Sequence, residues 1–150
     1  MKLAEALLLR SEHKSKLDNL QQRLLSNVKV QESDSPLENP QTLIEESFAI
    51  SEKLCELIKQ INVRNNTAKL DNGLTLSEAL IHRDMVGKKI NILATVANKA
   101  IEKDYRLTHS EVKMNVIVPV AEIQKQIDTL SKEYRELDTK IQSLNWTVDL

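Results

Sequence analysis

Three residues of this chain could do chemistry that their own helices have no structural use for. Leu3, Ala6, Leu17, Leu20 and Leu24 recur at the spacing that keeps side chains on one helical face. Arg10 and His13 occupy the two positions that would complete the stripe. In a later segment Arg83 does the same, midway between Leu76 and Ile90 on the main apolar stripe. A guanidinium offers a fork of N–H donors that suits a carboxylate or a phosphate. Left unpaired in a core, each would cost several kcal/mol.

Three arrangements would relieve that cost. The first, which the sequence favours, is an internal ion-pair layer using Asp138 or the flanking Glu133 and Glu136. The second is a solvated notch from which the arginines reach water. The third is a pocket for a small anionic ligand, a carboxylate or a phosphate. It would be lined by Arg10, His13, Arg83, Asn66, Tyr134 and Asp138.

Other chemistry leaves no signature. The sequence has no phosphate-binding glycine loop, no dinucleotide fingerprint and no cysteine-rich metal pattern. His13, His82 and His109 fall on separate elements, and no Glu-x-x-His pair of the di-iron kind occurs. No metal, cofactor or catalytic residue is therefore expected. Cys55 falls on an apolar helix face, where a thiol reads as inert core. Being alone, it also excludes an intramolecular disulfide and fits a reducing cytoplasm.

The elements that must position these residues are helices. Two glycines, three prolines and four aromatics among so many Leu, Ile, Lys and Glu argue against a β-sandwich or an α/β sheet. Helical patterns run over about residues 3–28, 40–64, 76–101 and 119–145. Each is roughly 38 Å long at 1.5 Å per residue. The expectation is all-α: one domain spanning residues 1–150, an antiparallel bundle of four long helices with a small β-hairpin and an extended segment between helices. In such a bundle helices one and three run parallel, so Arg10 and Arg83 would share one layer.

Local signals mark the boundaries. Asn39-Pro40 reads as an N-cap followed by proline at the first helical position. Asn72-Gly73 predicts the hairpin turn, and Thr75-Leu76-Ser77-Glu78 fits a capping box. Val112, Met114, Val116 and Val118 alternate as in a strand. The fourth pattern keeps a narrow coiled-coil-like seam through Ile123, Ile127, Leu130, Tyr134, Leu137 and Ile141. "NWTVDL" reads as an irregular tail.

Helix three carries a second apolar stripe, Ile81, Met85, Ile92 and Val96, nearly opposite the first. A helix apolar on both sides is expected to be covered on both sides, here by another subunit. Twenty-one basic residues balance 22 acidic ones, leaving a net charge of −1 and no basic surplus for nucleic acid or an anionic membrane. The N-terminus "MKLAEALLLRSEHK" has leucines after Lys2, but Glu5 breaks the run that a secretory leader needs. No stretch approaches a membrane span. A cytoplasmic homo-oligomer without a nucleic-acid or membrane partner is the expectation.

The segments "KLAEALLLR", "NVRNNTAKLDNGLTLSEALIHRD", "DYRLTHSEVK" and "YRELDTKIQSLNWTVDL" resemble a bacterial family of small helical proteins of unknown function, often labelled septicolysin. The resemblance covers nearly the whole chain. Arg10, Asn66, Arg83, Tyr105, Glu136, Asp138 and Trp146 match its pattern. It implies the helical fold and no activity or cofactor. The label suggests a thiol-activated cytolysin, yet no secretion signal, membrane-inserting hairpin or tryptophan-rich loop accompanies it. A non-enzymatic helical scaffold or binding protein is the leading expectation, a small-anion binder or enzyme the alternative, and a membrane-active cytolysin a distant third.

Overall fold

A computed structural model of the chain describes residues 1–102 and 112–150. Four long α-helices account for most of them: α1 (Leu3–Asn27), α2 (Pro40–Thr67), α3 (Leu76–Ile101) and α4 (Val120–Thr147). The all-α class is the one expected. The chain divides into two compact units, Met1–Leu76 with Gln142–Leu150, and Ser77–Ile141.

The first unit is built on the α1–α2 pair. Arg23 pairs with Glu38, and Lys16 with Glu46 at 3.2 Å, so the partner number rises as the α1 number falls and the two helices run antiparallel. Between them Leu20, Leu43 and Ile50 form a buried cluster, with Leu17 and Leu24 packed against it. Leu43, Ile50 and Leu57, each two turns from the next, are buried and Ile61 completes the row. Cys55, placed on an apolar helix face from sequence, is exposed, and so is Phe48. The row packed against α1 is a narrow stripe, less than half the circumference of the helix.

The helix boundaries follow the local signals. Asn39 accepts a hydrogen bond from the Gln41 N–H at 2.9 Å, with Pro40 opening α2. Asn27 closes α1 from inside: its amide donates to the Arg23 carbonyl at 2.8 Å, and its carbonyl oxygen accepts from the Glu38 N–H at 3.0 Å. That one buried side chain fastens the far end of the connector to the end of α1.

The expected β-hairpin is not formed. The Asn72-Gly73 turn is in place, with Gly73 at φ +83° and its N–H donating to Leu70. It is flanked by one antiparallel bridge, Lys69 with Thr75, rather than by two strands. The helices leave no room for more, because α2 runs on to Thr67 and α3 begins at Leu76. Residues 112–118 likewise carry no strand, and Val112, Met114, Val116 and Ile117 are exposed. Alternation alone cannot make a strand, and among the described residues no strand edge supplies hydrogen-bond partners. The remainder of that expected segment, at 110–111, lies outside the described residues.

The C-terminus is more ordered than an irregular tail. α4 continues through Trp146 to Thr147, and Asp149 forms an antiparallel bridge with Lys2. The Leu3 N–H donates to the Val148 carbonyl and the Leu150 N–H to the Met1 carbonyl, both at 2.9 Å. The Lys2 ammonium donates to the Thr147 carbonyl and pairs with Asp149 at 2.9 Å. The Lys2 N–H meets the Glu5 carboxylate at 2.6 Å, which caps α1.

The second unit holds α3 from Ser77 and α4 up to Ile141. Arg83 meets Asp138 and Gly87 approaches Tyr134, so these helices are antiparallel as well. Ala79, Val86 and Ala97 of α3 are buried, as are Ile123, Leu137 and Ile141 of α4.

Candidate functional site

Arg83, Asp138, Asp84, Tyr134 and Gly87 form one cluster in the second unit. The Arg83 Nη1 donates to Asp138 Oδ1 at 2.8 Å, while Nε and Nη2 donate to Asp84 Oδ1 at 3.2 and 3.0 Å. Only 21% of the Arg83 side chain is exposed, against 36% of Asp138 and 60% of Asp84. Desolvation pushes the Arg83 guanidinium down, but the hydrogen bonds to Asp138 and Asp84 more than offset it, and the net shift is upward. The arginine is therefore a fixed cation with two carboxylates on its fork.

One turn along, Gly87 lets the Tyr134 ring come close. A methyl group at that position would sit 3.3 Å from Cε2 of the ring, tighter than ordinary van der Waals contact. Glycine here removes bulk one turn from the arginine and makes room for the Tyr134 ring. On the neighbouring face His82 Nε2 lies 3.2 Å from Glu133.

The other site residues proposed from sequence lie in the first unit. Arg10 and His13 are half-buried on α1, and Asn66 is exposed in the last turn of α2, which extends through "NVRNN". Within that unit Arg10 has neither a hydrogen bond nor an ion pair among the described residues. The structure thus brings Arg83, Asp138 and Tyr134 together in one unit and places Arg10, His13 and Asn66 in the other. Tyr105 and His109 lie outside the described residues.

Sequence reasoning passed over the Arg23–Glu38 ion pair and the terminal clamp of Lys2 and Asp149. The Arg23 guanidinium donates to both Glu38 oxygens and holds that carboxyl below its usual range. Lys2 does the same for Asp149, chiefly through its hydrogen bond. Neither pair interrupts an apolar stripe, so periodicity gives no signal for either. No group of three His, Cys, Asp or Glu side chains suited to a metal occurs among the described residues. No helix among them is long and apolar enough to cross a membrane.

The model of a family of unknown function, DUF6847, matches residues 10–150. The chain belongs to that family. A DUF6847 match running from Arg10 to the last residue takes in both arginines, the Arg83 cluster and the terminal clamp's Asp149. A solved structure of a functionally unknown conserved protein from Corynebacterium diphtheriae is 37% identical. It aligns with a TM-score of 0.93 over 100% of this chain and 98% of its own. No curated protein matches. A bacterial family of unknown function is thus what the resemblance amounts to, and none of these relatives carries the septicolysin label.

Proposed function

We propose that this DUF6847 chain is a non-enzymatic scaffold or binding protein of the bacterial cytoplasm that acts as a homo-oligomer. The observation that carries the reading is the state of Arg83. Its fork is taken up by Asp138 and Asp84, so an anionic ligand would have to displace two carboxylates to reach it. An arginine held this way fixes the register of α3 against α4 and leaves function to surfaces. The apolar residues left exposed on α3 support a partner that is another protein surface. Light scattering across a concentration series tests the reading. A mass above 17.1 kDa that survives Arg10→Met with Arg83→Met is expected. A monomer at every concentration overturns it.

Arg10 favours a second reading. A half-buried arginine that pairs with no carboxylate of its own unit among the described residues is suited to a phosphate or carboxylate ligand, with His13 one turn away. Melting temperatures measured against a panel of inorganic phosphate and small carboxylates would rise for that reading, and Arg10→Met would abolish the rise. No shift across the panel removes it.

A further inference from the structure

The second apolar stripe of α3 has an internal symmetry that says what covers it. Ile81, Met85 and Ile92 are 61%, 42% and 63% exposed, and Val96 is half-buried. At 100° per residue the four lie within about 60° of one another on the helix surface. Their spacing is palindromic: Ile81 and Val96 are equidistant from a point between Lys88 and Lys89, and so are Met85 and Ile92. Glu78 and Lys99, the charged residues at the two ends of the stripe, are equidistant from the same point.

From this symmetry we infer that α3 pairs with α3 of a second copy, antiparallel, about a two-fold axis passing between Lys88 and Lys89. The inference rests on the homo-oligomer reading and gives it a surface, an orientation and a register. A two-fold axis there sets each half of the stripe against the other half, as a self-complementary interface requires. Ile81 lies opposite the partner's Val96, and Met85 opposite the partner's Ile92. Glu78 comes level with the partner's Lys99, so opposite charges meet at both ends. A parallel pairing would instead set Glu78 beside Glu78 and Lys99 beside Lys99.

Two features set the strength of this contact. From Ile81 to Val96 the stripe is ~22 Å long, the contact length of one short helix pair. Such a pair falls at or below the roughly 1,200 Å² at which stable interfaces begin, so the dimer is reversible and depends on concentration. Lys88 points along the same face, close to the axis, and two like charges meet there. Removing that charge should tighten the dimer.

The test combines mass with cross-linking, in a Cys55→Ser background because Cys55 is exposed. Scattering should show the mass rising from 17.1 kDa towards about 34 kDa with concentration. Ile92→Asp should weaken association at least ~10-fold and Lys88→Met should strengthen it several-fold, a tenfold change being about 1.4 kcal/mol. Both sites are exposed, and circular dichroism confirms that each variant keeps its helices. Facing helix axes sit about 8–10 Å apart, too far for an unstrained disulfide, so a short bismaleimide is the probe. Lys88→Cys should cross-link to itself efficiently and Gln124→Cys on α4 should not. A dimer that ignores Lys88→Met and fails to cross-link through Lys88→Cys overturns this register while the homo-oligomer reading stands. A monomer throughout overturns both.

Discussion

Replacing Asp138 by alanine removes one of the two carboxylates that hold Arg83. A fully buried arginine robbed of its only partner would cost about 3–5 kcal/mol, and an exposed surface pair about 0–1 kcal/mol. This pair lies between those limits. Arg83 keeps 21% of its side chain in solvent and Asp138 keeps 36%, so water replaces part of what is lost. Asp84 remains on Nε and Nη2 at 3.2 and 3.0 Å, so the cation is not orphaned. The 2.8 Å bond from Nη1 is the part removed, and its charge-assisted strength of about 1.5–3 kcal/mol must be discounted for that exposure. The expected cost of Asp138→Ala is about 1–2 kcal/mol, or roughly 2–8 °C in melting temperature at this chain length.

A double-mutant cycle at neutral pH separates the pair from the side chains themselves. Urea midpoints and thermal melts are measured for Asp138→Ala, Arg83→Met and both together. Arg83→Met should cost less than Asp138→Ala, because it removes the desolvated charge and leaves a carboxylate that water can reach. The double variant should be no worse than Asp138→Ala alone, since two partly buried charges have gone together. Coupling within ~0.3 kcal/mol of zero would show that the pair holds nothing, and the case for Arg83 as a register-fixing residue would fall. A cost above ~3 kcal/mol for Asp138→Ala would mean that Asp84 gives no compensation.

Three further outcomes follow from individual residues. Gly73→Ala, at φ +83° in the turn before α3, should destabilise by about 1–2 kcal/mol although nothing lies within 4 Å of the added methyl, because the backbone conformation itself is strained for alanine; chemical denaturation reads this. Gly87→Ala should gain far less than the ~1 kcal/mol of helix propensity, since its methyl presses on Tyr134, and Tyr134→Leu should restore the gain when the melting temperatures of single and double variants are compared. Glu38 has a folded-state pKa lowered below 4.5 by its hydrogen bond from Arg23, so its stabilising contribution is complete above that value and is lost as pH falls through the lowered folded value; the melting temperatures of the native protein and Glu38→Gln should differ above pH 5 and converge progressively as pH falls below 4.5.

What was legible in the sequence was whatever a single helix records about itself. The four helices, the Asn39 cap, the Gly73 turn and the place of Arg83 in its stripe all follow from residue type and period. Asp138 was also legible as a partner, because it lies on the edge of a stripe facing the arginine. The failures concern neighbours. Cys55 reads as core because it falls on an apolar helix face, but the part of that face packed against α1 is a narrow band. Residues 112–118 alternate as a strand does, yet alternation records a preference for two faces and says nothing about an edge to pair with. The terminal clamp joins Lys2 to Asp149, a contact between the two ends of the sequence that no local pattern announces.

Arg10 and Arg83 interrupt their stripes in the same way, and only one of them is answered within its own unit. Arg83 shows that this fold can satisfy a seam arginine from within, by setting a carboxylate one helix away and another at the adjacent position. Helix α1 carries no such provision at Arg10: Ser11 follows it where Asp84 follows Arg83. A purely structural arginine gains most from the arrangement that Arg83 has, since its desolvation is then offset by charge-assisted bonds. The asymmetry makes the two positions a matched experiment. If both arginines are structural, methionine at either should cost less than Asp138→Ala does, and no added anion should discriminate between the two variants. If Arg10 serves a ligand, Arg10→Met alone should remove the thermal shift given by phosphate or a small carboxylate, with Arg83→Met keeping it. Loss of the shift in both variants, or its persistence in both, would contradict a role specific to Arg10.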